Sequence, residues 1–292
     1  MITRRHFGIG FGASLALLLV GCPATAGTRF ENLSDAFGEI ERKTGGRLGV
    51  AVLDIETGAQ AGHRADERFP LCSTFKLLAA AAILARVDSG TESLDRPVAV
   101  RAEDIVTYSA QTEKHVGGAM PLAAVCEAAI TLSDNTAGNL LIAALGGPDA
   151  ITAYARSLGD GVTRLDRIEL DLNEATPGDP RDTTTPAAMA GNLRALLVGD
   201  ALSPRSKDQL AAWLIANKTG DDRLRAGLPA GWRIGDKTGT CNEATAGDVG
   251  IAWPPDRAPV LVAVYLAETT ASRDPQNAAF AAVGRAVAAA IG

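Results

Sequence analysis

Residues 73–87 read STFKLLAAAAILARV, a segment made almost entirely of Leu and Ala after its first four positions. This composition predicts a helix buried in a core. Residues three apart at a helix start lie on one face, which places the Lys76 amine beside the Ser73 hydroxyl. A neighbouring base can take the serine proton and create a nucleophile, and a buried lysine can become that base. A capping serine beside an unrelated lysine fits the same residues, so this motif alone leaves both interpretations open.

Segments that predict strands lie near both ends of the chain around this helix. Residues 47–55 form an apolar run that ends in the turn Glu56-Thr57-Gly58, and residues 60–65 predict a returning strand. Near the other end we predict strands at 233–238, 249–253 and 260–266 and a helix at 278–291. The region between predicts helices at 120–145, at 148–158 and from Pro186 onward, and a long loop at 161–185. We therefore expect an α/β (α+β) fold in which a sheet built from both ends carries a helical insertion, with a cleft between them.

The first 26 residues have the parts of a secretory signal. Arg4 and Arg5 precede the uncharged run 7–20, and an A-x-A pattern ends at Ala26. We expect cleavage after Ala26 and a periplasmic or secreted protein. The two arginines lie in TRRHF, which resembles a twin-arginine signal, although a general secretion signal fits as well. The stretch LVGC ending at Cys22 resembles a lipoprotein box, and lipidation there would keep Cys22 as a membrane anchor.

The composition argues against several classes of function. The net charge is −6, whereas a surface that binds nucleic acid needs a basic excess. With only three histidines, of which His63 and His115 follow the signal, we expect no metal site and no cofactor. After residue 26 no run reaches the ~18 apolar residues of a membrane span. Three cysteines remain in an oxidising compartment.

Two further motifs carry groups suited to catalysis. Ser133-Asp134-Asn135 offers a hydroxyl for proton transfer and an amide for substrate binding, although all three residues are also good helix caps. Lys-Thr-Gly occurs twice. We interpret residues 218–220, which run into two aspartates, as a polar turn. The second copy, followed by Thr240, extends a predicted strand and can present a cation, a hydroxyl and a backbone amide to a bound anion or carbonyl.

With these three motifs in this order, the chain resembles the penicillin-recognising serine enzymes, and among them the class A β-lactamases. Residues 164–182, RLDRIELDLNEATPGDPRD, resemble the Ω-loop of class A. The resemblance implies a two-lobed fold: an antiparallel sheet with helices from 27–66 and 215–292, and an all-helical lobe from 67–214. It also implies a monomer that takes a β-lactam as its small-molecule substrate.

The resemblance implies catalytic roles for four residues. Ser73 would open the β-lactam ring and form an acyl-enzyme, with its backbone amide and that of Thr240 as the oxyanion hole. Lys76 and Glu169 are both candidates for the base in acylation. Glu169, helped by Asn173, would hold the water that hydrolyses the ester, and Ser133 would pass a proton to the leaving nitrogen.

It also implies binding roles around them. Lys237 would assist Ser133, Asn135 would bind the side-chain amide of the substrate, and Thr238 with Thr240 would bind its carboxylate. Tyr108 resembles the aromatic residue at the cleft mouth. In place of an arginine after the Lys-Thr-Gly strand, Arg223 resembles the substitute of the carbapenem-hydrolysing branch, with Arg225 as the competing assignment.

The cysteines extend the resemblance to that branch. Cys72 precedes the nucleophile and Cys241 follows Thr240, which implies a disulfide beside the site. Leu170 and Thr240 also match the branch. Cys126 resembles a family cysteine whose partner position holds Ala80, so we expect a free buried thiol. Arg167 and Asp182 resemble the ion pair that closes the Ω-loop.

Three other functions share some of these features. A peptidoglycan transpeptidase or carboxypeptidase has the same Ser-Lys core but lacks the deacylating glutamate, so Glu169 distinguishes it. A non-catalytic β-lactam sensor domain normally comes with membrane helices. A zinc hydrolase would need a cluster of ligands around His63 or His115, and neither has one in the sequence.

Overall fold

Short apolar runs at both ends of the chain form the strands, as expected from their periodicity. The computed structural model describes Met1 and residues 30–292, so the predicted signal, with Cys22, lies outside the described residues apart from Met1. In chain order the strands are β1 (Arg47–Asp54), β2 (Gln60–His63), β3 (Phe69–Pro70), β4 (Pro97–Ala99), β5 (Ala119–Pro121), β6 (Thr183–Thr184), β7 (Arg233–Asn242), β8 (Thr245–Trp253) and β9 (Val260–Ala267).

Nine α-helices occur among the described residues. They are α1 (Leu33–Thr44), α2 (Phe75–Asp88), α3 (Leu122–Thr131), α4 (Asn135–Leu145), α5 (Pro148–Ser157), α6 (Pro186–Leu197), α7 (Pro204–Ile215), α8 (Leu224–Gly227) and α9 (Arg273–Ile291). Thr185 caps α6 through its side chain, with Pro186 at the first position, as the sequence predicts. Within the part of the chain that is described, none of these helices is long and apolar enough to cross a membrane.

Five strands form one antiparallel sheet in the order β2-β1-β9-β8-β7. The central strand β9 is buried along its whole length, because helices cover both faces of the sheet. On one face α1 and α9 pack through an apolar cluster that includes Phe37 and Phe280. The other face packs against the helical part of the molecule, which confirms the predicted α/β (α+β) class.

Helix α2 lies at the centre of the helical part, and every residue from Phe75 to Leu84 is buried. The predicted buried helix is therefore confirmed. The segment 67–214, expected to be all-helical, also contains two short antiparallel pairs, β3 with β6 and β4 with β5. The first pair joins the chain entering the Ser73 turn to the chain leaving the Ω-loop.

The helix predicted across 120–145 is interrupted between α3 and α4. Ser133 has a positive φ of 55°, which a continuous helix cannot contain. Asp134 then caps α4, its side chain accepting a hydrogen bond from Ala137 N. The capping interpretation thus holds for Asp134, while the break turns Ser133 and Asn135 toward α2.

Candidate active site

Ser73 lies in a tight turn at the start of α2. A 3₁₀ turn, Cys72–Thr74, precedes the helix, and the Thr74 hydroxyl donates to Leu71 O at 2.6 Å. Cys72 adopts a left-handed φ of 44°, a conformation that is uncommon for non-glycine residues. Ser73 lines a cavity of about 410 Å³ between the helical part and β7.

The Lys76 ammonium is fully buried and contacts four groups of the site. Its Nζ donates to Ser73 Oγ at 2.9 Å, to Ser133 O at 2.8 Å and to Asn135 Oδ1 at 2.7 Å. Glu169 Oε1 lies 3.0 Å away. Burial lowers the pKa of Lys76, although the Glu169 carboxylate opposes this shift. The amine is thus both beside the hydroxyl and moved toward the pKa of a general base.

Glu169 is held from two directions. The Ser73 hydroxyl donates to Glu169 Oε1 at 3.3 Å, and Asn173 Nδ2 donates to Oε2. Asn139 on α4 fixes the backbone: its Nδ2 donates to Glu169 O at 2.9 Å, and Glu169 N donates to its Oδ1 at 2.8 Å. The Glu169 carboxylate therefore lies within one hydrogen bond of both Ser73 and Asn173.

Lys237 on β7 reaches the opposite side of Ser133. Its Nζ donates to Ser133 Oγ at 3.0 Å and to Thr238 O at 2.8 Å. Burial, together with the nearby Lys76 cation, holds the pKa of Lys237 well below its ordinary value. Lys237 and Lys76 thus contact Ser133 through its hydroxyl and its carbonyl, which holds Ser133 between the two amines.

The β7 edge of the cavity carries hydroxyls backed by a buried guanidinium. Arg223 Nη2 donates to Thr240 Oγ1 at 2.8 Å, and Nη1 donates to Gly239 O and Gly247 O at 2.9 and 2.7 Å. Arg225 pairs with Asp236 instead. Of the two competing arginines, Arg223 is therefore the one that lines the cavity.

Tyr108 and Leu170 lie at the mouth of the cavity, where both are exposed. Asn135 is held deeper, because its Nδ2 donates to Thr107 O at 2.9 Å while its oxygen accepts from Lys76. Its orientation is thereby fixed relative to the nucleophile.

A disulfide joins Cys72 to Cys241, across 169 positions. It ties the turn that carries Ser73 to the end of β7, and the implied pairing is confirmed. Cys126 is a buried free thiol, as expected, and burial raises its pKa.

The Ω-loop is closed at its base by Asp182, which is 1% exposed. Its Oδ1 accepts from Asp166 N and Arg167 N at 2.8 and 3.0 Å, and its Oδ2 accepts from Arg167 Nε at 2.6 Å. The loop that carries Glu169 is therefore anchored two residues before it.

The structure thus brings every predicted site residue to one cavity or its wall. Two neighbours were missed from the sequence. Asn139 holds the Glu169 backbone, and Thr219, assigned to a polar turn, lines the cavity beside Thr238. The only signal in the sequence for Thr219 was its membership in the first of the two Lys-Thr-Gly copies. Among Met1 and residues 30–292, no group of three or more His, Cys, Asp or Glu side chains could hold a metal ion.

A buried Ser-Lys pair beside a carboxylate, facing a lysine-bearing strand, defines the site of a serine acyl-transfer enzyme. A family model described as the Beta-lactamase enzyme family matches residues 32–291, so the chain belongs to that family. It is a serine β-lactamase of class A.

Individual relatives match over most of their length. β-Lactamase AST-1 of Nocardia asteroides is 49% identical over 297 residues, covering 99% of this chain and 96% of its own. β-Lactamase CTX-M-8 of Citrobacter amalonaticus is 44% identical over 275 residues and covers 94% of each. The solved structure of an ancestral (GNCA) class A β-lactamase shares 64% identity with a TM-score of 0.87, covering 88% of this chain and 99% of that one.

Proposed function

We propose that this enzyme hydrolyses the β-lactam amide of penicillins and cephalosporins through an acyl-enzyme on Ser73, with Glu169 activating the deacylating water. One observation carries the proposal: Ser73 Oγ lies 2.9 Å from Lys76 Nζ and 3.3 Å from Glu169 Oε1. Both candidate bases are within hydrogen-bond reach of the nucleophile, which is the geometry that general-base catalysis requires.

In acylation, Ser73 Oγ attacks the lactam carbonyl carbon as its proton passes to Glu169 or Lys76. Collapse of the tetrahedral intermediate breaks the C–N bond, and the nitrogen takes a proton from Ser133. The Lys237 cation, 3.0 Å from Ser133 Oγ, eases that transfer because it stabilises the negative charge left on the oxygen. Lys76 Nζ lies beside Ser133, where it donates to the backbone carbonyl at 2.8 Å. The proton taken from Ser73 finally restores the Ser133 hydroxyl, so the acylation step leaves the site with its original number of protons.

In deacylation, a water between Glu169 and Asn173 loses a proton to the carboxylate and attacks the ester carbon. Asn173 donates to Glu169 through Nδ2, and its buried Oδ1 accepts no hydrogen bond from the described residues. That oxygen supports the proposal, since it can accept from the attacking water. A transpeptidase needs no such arrangement, so Glu169 favours hydrolysis over the peptidase and sensor alternatives.

We extend the proposal to carbapenems. The Cys72–Cys241 disulfide fixes β7 against the Ser73 turn, and Arg223 supports the Thr240 hydroxyl at 2.8 Å. Both features resemble the carbapenem-hydrolysing branch. Steady-state hydrolysis of imipenem tests this extension. Binding of imipenem without turnover would refute the extension to carbapenems and leave the proposal for penicillins and cephalosporins intact.

We also propose that the enzyme acts as a monomer after export across the membrane. The signal pattern ending at Ala26 supports export. The intact mass of the protein recovered from the producing cell distinguishes cleavage after Ala26 from a lipidated Cys22. Size-exclusion chromatography with light scattering tests whether the enzyme is a monomer in solution.

The deciding experiment compares three proteins: wild type, Glu169→Ala and Asp171→Ala. Asp171 is an exposed carboxylate of the same loop and serves as the matched control. We expect wild type and Asp171→Ala to turn over nitrocefin and benzylpenicillin, with no effect of a chelator. We expect Glu169→Ala to show an acylated mass after mixing with benzylpenicillin. Parental turnover by Glu169→Ala would refute the deacylation role, and no turnover by wild type would refute the hydrolase.

A further inference from the structure

Thr219 connects the cavity to a chain of buried hydrogen bonds. Its hydroxyl donates to Asn217 Oδ1 at 2.8 Å and also contacts Thr238 Oγ1. Asn217 Nδ2 in turn donates to Asp236 Oδ2 at 2.9 Å. Asn217, Thr238 and Asp236 are all buried, whereas Thr219 is half-buried and faces the cavity. The hydroxyl of Thr219 is therefore the link between the Thr238 hydroxyl and the interior.

The number of hydroxyl protons limits what this chain can do. Each threonine hydroxyl has one proton to donate and can accept through its lone pairs. While Thr219 donates to Asn217, it can only accept from Thr238, so the Thr238 proton points away from the cavity. An anion bound at Thr238 needs that proton. Thr219 must then turn its own proton to Thr238 Oγ1.

The interior can accommodate this reversal without leaving an acceptor unpaired. When the Thr219 hydroxyl turns away, Asn217 Oδ1 still accepts from the backbone N of Thr219, at 3.1 Å. Since losing all partners of a buried acceptor costs about 1–3 kcal/mol, this second donor makes the rotation inexpensive. A hydroxyl that donates to Thr238 also makes Thr238 a stronger donor, because linked hydrogen bonds polarise one another.

We infer that Thr219 is a positioning residue for the substrate carboxylate: its hydroxyl reverses direction and thereby frees the Thr238 proton for the anion. This inference rests on the proposed function, because it assumes that the ligand is a β-lactam bearing a carboxylate. The Lys218-Thr219-Gly220 copy then has a binding role beside its role as a turn.

The test separates a role toward the carboxylate from a structural one. Wild type, Thr219→Val and Thr219→Ser are compared on benzylpenicillin and on its neutral methyl ester, by kcat/KM and by Ki against nitrocefin. Valine keeps the shape and removes the hydroxyl, whereas serine keeps the hydroxyl. Weakening one hydrogen bond to a charged group predicts that Thr219→Val loses about tenfold in kcat/KM for the acid. For the ester, which lacks the charge, we expect kcat/KM to change by less than about twofold. Thr219→Ser should stay within about threefold of wild type for both.

Equal losses for acid and ester, or no loss for either, would overturn the inference. Thermal unfolding of each variant checks its fold, and Thr219→Ala provides a second protein without the hydroxyl should valine fail to fold. Failure of the proposed function looks different, because wild type would then turn over neither nitrocefin nor benzylpenicillin. If Thr219→Val is active and prefers the acid over the ester as strongly as wild type does, only the proposed reversal of the Thr219 hydroxyl is refuted.

Discussion

Replacing Asp182 by asparagine removes one negative charge from the base of the Ω-loop with almost no change in shape. The carbonyl oxygen of the introduced side chain can still accept from the two backbone N–H groups that Asp182 Oδ1 now binds. The new amide group, however, would face Arg167 Nε, so that one donor meets another. The change therefore isolates the charge-assisted bond between Asp182 and Arg167 from the backbone contacts.

The size of the effect follows from burial. Asp182 is 1% and Arg167 17% exposed in their side chains, so little water screens the pair. Breaking a buried pair by removing one charge costs about 3–5 kcal/mol, and the contact of Arg167 with Glu174 favours the lower end. About 3 kcal/mol corresponds to a fall of roughly 6 °C in the unfolding midpoint for a chain of this size. Glu169 lies two residues beyond Arg167, and we expect slower deacylation too.

Calorimetry and urea unfolding of wild type and Asp182→Asn measure the loss, and intact mass after a benzylpenicillin pulse measures acyl-enzyme. Asp179→Asn is the matched control, because Asp179 pairs with the half-exposed Arg181 in the same loop. We expect that control to leave the midpoint almost unchanged. If Asp182→Asn unfolds within about 1 °C of wild type, or if the control loses as much, the reasoning from burial is refuted.

Three more outcomes follow from buried groups. Burial and the neighbouring Asp236 carboxylate raise the pKa of Asp248. Because the unfolded chain ionises first, the stability that this one group contributes is present below about pH 4 and is lost as the pH rises toward its raised pKa; relative to wild type, Asp248→Asn should therefore be more stable in urea at pH 7 but not at pH 3, and the opposite order would contradict this. Replacing Cys72 and Cys241 by Ala should cost up to about 5 kcal/mol for a closed loop of 169 residues, and equal unfolding midpoints without reductant would contradict it. Gly220→Ala should lower stability and penicillin turnover together, since a Cβ there would lie 1.8 Å from Asp236 Oδ2; an unchanged midpoint would count against it.

Local spacing predicted the contacts that lie within one helix turn. Ser73 and Lys76 meet because residues three apart share a face, and the structure places their polar atoms 2.9 Å apart. The contact between Lys237 and Ser133 joins positions 104 apart, so no local pattern contains it. Only the resemblance of the whole motif set could place those two residues together.

Thr219 shows why the rest of the site could not be predicted. Its sequence, followed by two aspartates, is that of a turn, and the turn is present. Its position next to Thr238 depends on how α7 packs against β7, which places residues 19 positions apart in hydrogen-bond contact. The break at Ser133 was missed for a related reason. Apolar residues on both sides of the Ser-Asp-Asn motif favour a continuous helix, and the tertiary contacts of Ser133 with Lys76 and Lys237 accompany the interruption.

The Cys72–Cys241 disulfide also bears on the order in which the chain folds and its cysteines are oxidised. Cys72 and Cys241 lie 169 positions apart, and Cys126 lies between them. Until the chain has folded, Cys126 is a competing partner for either of the two cysteines. In the folded protein its thiol is buried in α3, and the raised pKa leaves little thiolate to react.

Correct pairing is therefore favoured when the helical core closes around Cys126 before Cys72 and Cys241 are oxidised. In the folded protein the docking of β7 beside the Ser73 turn brings the two sulfurs together. An oxidised Cys72–Cys241 bond thus records that the first and last parts of the chain have assembled. A pulse-chase experiment with thiol labelling should find that bond later than the burial of Cys126.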